Sequence, residues 1–308
     1  EAGAGCGKTE ALVGRVINLV TSSDVSLDDV AVITFTNKAA AELRHRIRSR
    51  LEELLANSSE PTIRKRLDLS LTKLDDAAIS TLHRFARRLL TEHSIEAKFP
   101  PNFEVLDEIS SQVEFIERFE KFLDSLLLDQ EWSRTLLISD ALGINPAKDL
   151  LPLANELHKN WDLLKPTKHP DPAAVDFEDL IAKGHALALQ ENTFIGSADS
   201  DSMTKSLEAI RQFVHELETD FDEIQQIDTL AKTKLPSGNT KGRKTNWTDI
   251  ESLRSQFESY TADVAFFRAS LTDLILRRLT ACLTDFILDG VVEQRKLGRL
   301  DYHDLLVS

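Results

Sequence analysis

The chain has 308 residues, 42% of them hydrophobic and 29% charged, and 37 Lys+Arg against 51 Asp+Glu give a formal net charge of −14. That length supports a sizeable core and suggests two domains of about 150 residues each. Two cysteines, Cys6 and Cys282, are too few for a disulfide framework or a cysteine-based zinc site and point to a reducing compartment. No apolar run approaches the roughly 20 residues of a membrane span and no signal-peptide pattern opens the chain, so a cytoplasmic protein with no membrane partner is expected.

Net acidity argues against a polyanion-binding surface over the whole chain but says little about a local groove. Two basic islands stand out. Residues 38 to 50 carry Lys38, Arg44, Arg46, Arg48 and Arg50 against Glu42 alone, and residues 232 to 244 carry Lys232, Lys234, Lys241, Arg243 and Lys244 with no acid. The chain opens at Glu1 inside a motif, which reads as a piece of something longer.

Four of the eleven glycines (Gly3, Gly5, Gly7, Gly14) fall in the first fourteen residues, a loop whose backbone must approach something closely. Leu12, Val13, Val16, Ile17 and Val20 then recur at helical spacing, and Val30-Ala31-Val32-Ile33 is a short apolar run of strand type. A second helix is predicted from Lys38 to about Asn57, with Leu43, Ile47, Leu51 and Leu54 on one face. Ala77-Ala78-Ile79 reads as a strand, His83 to Leu90 as a short helix, and Phe103 to Leu106 as another strand. Strands alternating with helices predict a parallel, doubly wound sheet.

From about Glu108 the apolar period becomes three to four throughout, with no alternating segment nearby. Leu207 to Ile227 reads as one long amphipathic helix and Ile250 to Leu274 as another, with the second basic island as a loop between them. Five of nine prolines lie between Pro146 and Pro172, predicting short helices and turns there.

Ala2-Gly3-Ala4-Gly5-Cys6-Gly7-Lys8-Thr9 fits a phosphate loop, with alanine at the leading position. Small residues let the N–H groups of Ala4, Gly5, Cys6 and Gly7 curl round a phosphate, and the next helix presents its positive end. Lys8 reaches the terminal phosphates and the Thr9 hydroxyl ligates magnesium. The apolar strand that should precede such a loop is expected upstream of Glu1. Thr34-Phe35-Thr36-Asn37 leaves a strand and enters a helix, and strand ends of open parallel sheets are where ligands bind. The donors Thr34, Thr36 and Asn37 suit phosphate oxygens and Phe35 suits a base face. Thr36 or Asn37 as a plain helix cap explains part of the same pattern.

The phosphate loop followed by Thr34-Phe35-Thr36-Asn37-Lys38-Ala39-Ala40-Ala41-Glu42-Leu43 resembles the start of a UvrD/Rep-type superfamily-1 DNA helicase, the group that includes RecB-like and AddA-like motors. Ile79-Ser80-Thr81-Leu82-His83-Arg84-Phe85 is similar to that family's T-x-H-S-F motif, and Leu300-Asp301-Tyr302-His303-Asp304-Leu305-Leu306 to its L-D-F-D-D-L-L segment. The resemblance implies an α/β fold: a partial P-loop RecA-like parallel sheet from 1–107 and 291–308, with a large all-helical accessory domain inserted at 108–290. It implies ATP and Mg2+ at Lys8 and Thr9, and single-stranded DNA along Thr34, Phe35, Thr36, Asn37, Thr81, His83 and Phe85. For Lys241, Arg243 and Lys244 it implies a grip on duplex DNA, the alternative being a solvated loop tip. A helicase-nuclease partner subunit is a further implied partner.

Three positions depart from the family pattern: Cys6 where Ser or Thr is usual, Arg84 where a small hydroxyl is usual, and His303 where an acid is common. Asp301 and Asp304 read as helix-start and core-facing residues. Phe103-Glu104-Val105-Leu106-Asp107-Glu108 mimics a strand ending in the acidic pair of an ATPase, but Glu104 interrupts its apolar run. The expected function is therefore the amino-terminal motor part of an ATP-dependent DNA helicase acting in repair or recombination, inactive when alone. A stand-alone P-loop ATPase or nucleotide sensor using Asp107 and Glu108, with a helical protein-interaction domain, is the alternative. A helical scaffold that binds no nucleotide is the third reading.

Overall fold

The computed structural model describes residues 7–22, 25–100, 102–170, 175–196, 201–220, 222–238 and 240–307. The chain divides into two compact units, residues 1–111 with 293–308, and residues 112–292. It is mostly helical, with a small amount of parallel sheet.

In the first unit α1 (Lys8–Ser22) buries Val13, Val16, Ile17 and Val20, the stripe that its 3.6-residue period dictates. A single helical turn at Leu27–Asp29 leads into β1 (Ala31–Thr34), and α2 (Asn37–Asn57) lays Leu43, Ile47 and Leu51 onto the same core. The next helix, α3 (Pro61–Lys73), falls in a stretch where the sequence pattern predicts no element. Pro61 sits in its first turn, where its missing N–H costs nothing, and Leu67 is fully buried. Then come β2 (Ala78–Thr81) and α4 (Leu82–Glu92). β3 (Glu104–Val105) pairs in parallel with β4 (Arg299–Leu300), and α12 (Asp304–Val307) follows β4.

The doubly wound sheet expected from the strand order is smaller than that. Among the described residues the strands form two separate parallel pairs, β1 with β2 and β3 with β4. Leu90, Phe99, Phe103, Leu300 and Leu305 make a second small core around the β3–β4 pair.

In the second unit every element is helical: α5 (Glu108–Leu128), α6 (Gln130–Ala141), α7 (Pro146–His158), α8 (Glu178–Ala188), α9 (Ser202–Thr219), α10 (Glu223–Lys232) and α11 (Ile250–Leu297), with α5 and α11 running across the unit boundaries. The single long helix predicted from Leu207 to Ile227 is two. Asp220 and Asp222 take extended backbone angles, and the Asp222 carboxylate accepts the Ile224 N–H at 3.0 Å, capping a new helix where the apolar period alone shows no break. Conversely α11 continues well past Leu274, because its buried stripe runs on through Leu279, Leu283, Ile287 and Val291.

Small residues set the approach of these helices. A Cβ on Gly184 of α8 would lie 2.3 Å from Val214 Cγ2 and 2.6 Å from Tyr260 Oη, so α8 meets α9 and α11 there at a distance only glycine permits. Arg278 is buried on α11 and is fully engaged. Its Nε donates to the Thr135 hydroxyl at 3.1 Å, its Nη1 to the Pro170 carbonyl at 2.7 Å, its Nη2 to Glu131, and its guanidinium lies 4.4 Å from the Trp132 ring centre. No helix among the described residues is long and apolar enough to cross a membrane.

Candidate nucleic-acid interface

β1 and β2 run parallel in a register that sets Ala31 beside Ala78 and Thr34 beside Thr81. Two segments far apart in sequence therefore leave the sheet side by side at its carboxyl edge, Thr34-Phe35-Thr36-Asn37 from one strand and Thr81-Leu82-His83 from the other. Each turns at once into a helix, and the threonines make the turns. The Thr36 hydroxyl accepts the Ala39 N–H at 3.1 Å, the Thr81 hydroxyl accepts the Arg84 N–H at 3.4 Å, and the Thr34 hydroxyl donates to the Thr36 carbonyl at 3.0 Å. All three hydroxyls thus have local work in shaping the edge.

Phe35 has none. Its ring is fully exposed, which for a phenylalanine beside a strand end is costly and leaves both faces open to a ligand. Beside this edge lies an open cleft of about 630 Å³ lined by Asn37, Thr81, His83, Arg84, Arg87, Arg88, Thr91, Glu92, Val105, Tyr302 and Leu305. His83 stands edge-on to Tyr302, ring centres 5.2 Å apart and planes at 72°. Asn37, Thr81 and His83 thus meet in one cleft. Phe35 and Thr36 are not among its lining residues. The cleft does not collect Phe85 either: two residues beyond His83 on α4 is about 200° round the helix, and the half-buried Phe85 ring points elsewhere.

The three arginines of the cleft are a site that the motifs alone do not mark. Their signal is present in Arg84, Arg87 and Arg88, the i, i+3, i+4 spacing that gathers side chains on one helix face. The first basic island, by contrast, is largely neutralised. Arg46 pairs with Glu42 at 2.5 Å, Arg48 with Asp75 at 2.5 Å and Arg50 with Glu53 at 2.5 Å, while Arg44 donates to the Ile79 carbonyl at 2.9 Å.

Of the phosphate loop, Ala4, Gly5 and Cys6 lie outside the described residues. Gly7 has φ +71, the left-handed region that favours glycine, and its carbonyl accepts the Ala11 N–H at 2.9 Å, so α1 begins immediately after it. Lys8 and Thr9 are both exposed in the first turn of α1, whose leading N–H groups have no acceptor within the helix.

The model of the UvrD/REP helicase N-terminal domain family matches residues 1–307. The chain belongs to that family. Within this helicase domain, the first 40% or so of the chain also has curated relatives. All three described here are the A subunit of an ATP-dependent helicase/nuclease. The chain is 37% identical over 134 residues to the protein of Listeria monocytogenes, 38% over 125 residues to that of Desulforamulus reducens and 36% over 126 residues to that of Staphylococcus epidermidis, covering 43%, 40% and 41% of this chain respectively. Each match spans 10% of the relative's own length.

The helicase domain's second basic island is not a free tip. Trp247 is 2% exposed, and Gly238 is buried so close to Phe257 that a Cβ would come within 2.6 Å of its ring. Gly242 has φ +77, and Arg254 donates to the carbonyls of Lys241 and Gly242 at 2.9 Å each. The Asp201 carboxylate accepts from Met203 N, Arg243 N and Asn246 Nδ2 at 2.8, 3.1 and 3.0 Å, and those donors hold its pKa below the usual value against the burial that would raise it. The turn-rich composition hid this because the anchors are one tryptophan, two glycines and an aspartate distant in sequence. Arg243 and Lys244 remain exposed, with Lys244 3.0 Å from Glu251, and Lys241 is half-buried.

Asp107 and Asp304 also find structural roles. The Asp107 carboxylate accepts the Ser110 N–H at 2.8 Å at the start of α5, which lowers its pKa as a cap should. Asp301 and Asp304 cap α12 reciprocally: the Asp301 N–H donates to Asp304 Oδ2 at 3.0 Å and the Asp304 N–H to Asp301 Oδ1 at 2.8 Å.

Burial pushes the Asp304 carboxyl up to about 6. The folded state therefore keeps a proton there that the unfolded chain releases near pH 4, so this group's contribution falls as pH rises between about 4 and 6 and stays unfavourable above. Asp304→Asn preserves an acceptor for the Asp301 N–H without the charge. Its stability relative to the parent should rise by about 1–3 kcal/mol between about pH 4.5 and pH 7 in paired thermal melts. A difference independent of pH would contradict the buried charge.

Proposed function

We propose that this chain is the amino-terminal, ATP-binding motor part of an ATP-dependent DNA helicase that moves on single-stranded DNA and unwinds duplex in repair or recombination. The observation that carries the reading is the in-register pairing of Thr34 with Thr81, which joins the Phe35 and His83 segments at one strand edge beside a cationic cleft. In an open parallel sheet that edge is where a ligand sits. An exposed aromatic, amide and hydroxyl groups, and unneutralised arginines are what a single strand asks of a binding surface.

On this reading 1–107 with 291–308 is part of a P-loop RecA-like domain and 108–290 is its helical accessory domain. Lys8 and Thr9 would hold the terminal phosphates and Mg2+ of ATP, and Gly7 with the exposed start of α1 suits such an anion. Bound ATP with Mg2+ would supply the free energy of phosphoryl transfer. The chain's own part is to hold the phosphates and to couple α1 to the strand edge through β1 and the core shared by Val16, Val32 and Ile79. Arg243 and Lys244, with Lys241 behind them, are the surface offered to duplex phosphates. The relatives' name, which makes each of them one subunit of a helicase/nuclease, supports a partner subunit for the full-length protein.

The test is ATP turnover by the full-length protein with and without oligo(dT), alongside displacement of a labelled strand. Turnover stimulated tenfold or more by single-stranded DNA, together with ATP-dependent displacement, is the expected result. Turnover indifferent to DNA would favour a nucleotide sensor instead.

A further inference from the structure

The cleft at the strand edge carries more positive charge than its own acids neutralise. Of the three arginines on its wall, Arg88 is fully engaged: Nε donates to Glu92 at 2.8 Å and Nη1 to the Asp76 carbonyl at 2.6 Å, and Glu92 raises its pKa further. Arg84 and Arg87 make no side-chain hydrogen bond or ion pair among the described residues, and both are exposed. Two like charges three residues apart on one helix oppose each other unless a counter-charge lies between them. Glu92 is the acid on this cleft wall and is held by Arg88. A neighbouring cleft that Arg84 also borders holds Asp75 and Asp76, but Asp75 is paired with Arg48.

Also on the cleft wall, Tyr302 is 49% exposed, and the edge-on contact with His83 fixes the tilt of its ring. The cleft is open, which suits a chain passing through it better than an enclosed small molecule. A pair of guanidinium forks beside an exposed ring matches one nucleotide of a flexible strand, phosphate on one side and base on the other. We infer that Arg84 and Arg87 grip one stretch of backbone phosphate and Tyr302 stacks on the adjoining base. The inference rests on the proposal above that single-stranded DNA follows this edge. It gives the strand a contact that the motif residues do not supply, and it gives a role to Arg84, where the resembled family carries a small hydroxyl.

The test is fluorescence anisotropy of fluorescein-labelled oligo(dT) with the full-length protein over a salt series. Two phosphate contacts on a single strand predict that Arg84→Ala/Arg87→Ala lowers the slope of log affinity against log salt by about 1.4 and weakens binding about tenfold or more at low salt. Arg84→Lys/Arg87→Lys should keep the slope. Tyr302→Ala should weaken binding severalfold at an unchanged slope, with Tyr302→Phe restoring it. A double alanine variant with the parent's slope overturns the phosphate grip, and Tyr302→Ala with the parent's affinity overturns the stacking. Phe35→Ala separates the two levels. If it weakens binding while the arginine variant does not, this inference alone falls; if neither changes binding, the single-strand reading of the whole edge falls with it. These side chains are exposed, so unchanged thermal melts should accompany each variant.

Discussion

Lys8→Ala in the full-length protein should reduce ATP hydrolysis by at least about 100-fold while single-stranded DNA binding without nucleotide stays at the parent's level. The first half follows from where Lys8 sits. Its ammonium leaves the first turn of α1 beside Gly7 and is exposed, positioned to follow charge that develops on a transferring phosphoryl group. Removing one such stabilising group from a site costs about two to three orders of magnitude in rate. The second half follows because the cationic cleft is lined by residues of α2, β2, α4, β3 and the segment after β4, and by none of α1. Steady-state turnover checks the rate and anisotropy checks the binding. A variant that loses DNA affinity in step with turnover would mean that α1 contributes to the DNA surface directly.

Phe35→Ala should weaken oligo(dT) binding about 5- to 150-fold with no change in melting temperature. A base on an aromatic ring is worth about 1–3 kcal/mol, and each 1.4 kcal/mol is about a factor of ten. The ring is fully exposed, so its loss opens no cavity in the fold. That is the contrast with Val32 and Ile79 on the two strands, which are buried in the core of the first unit and whose truncation should act through stability instead. The same titration with Phe35→Trp should retain affinity, since the larger ring keeps the stacking face.

The order of elements in the first unit was legible because each signal was local. Val13, Val16, Ile17 and Val20 mark α1 by period alone, and Val30 to Ile33 is short and apolar enough to be little else than a strand. What joined the strands was not local. Nothing in the two segments states that Thr34 lies beside Thr81; that is a property of parallel pairing, and the motif resemblance was the only sequence signal for it. The break between α9 and α10 escaped because Leu217, Ile224 and Ile227 keep helical spacing across it, whereas the Asp222 cap that makes it is a single side-chain hydrogen bond. α3 escaped for the opposite reason: a long stretch separates Ser59 from the next apolar run of strand type, and Pro61, a helix starter in the first turn, reads as a breaker when taken alone. The loop from Lys232 to Lys244 looked unable to join a core because its own residues are polar, while its anchors, Asp201, Trp247, Arg254 and Phe257, lie outside it.

In the candidate site the same division holds. Phe35 and His83 are marked by short motifs and stand where a strand end exposes them, whereas Tyr302 joins His83 only once the chain has returned through α11 and β4. The alternative acidic pair, Asp107 and Glu108, loses its appeal because Asp107 caps α5.

The central claim is that one strand edge of the first unit carries single-stranded DNA, and photocrosslinking tests it most directly. An oligo(dT) with 5-iodouracil at successive positions is irradiated in complex with the full-length protein, and the crosslinked peptides are mapped by mass spectrometry. Crosslinks to Phe35 and to His83 or Tyr302, lost when unlabelled oligo(dT) competes, are the predicted result. Crosslinks confined to other parts of the protein, with none in the segments 34–37, 81–85 or 300–304, would contradict it.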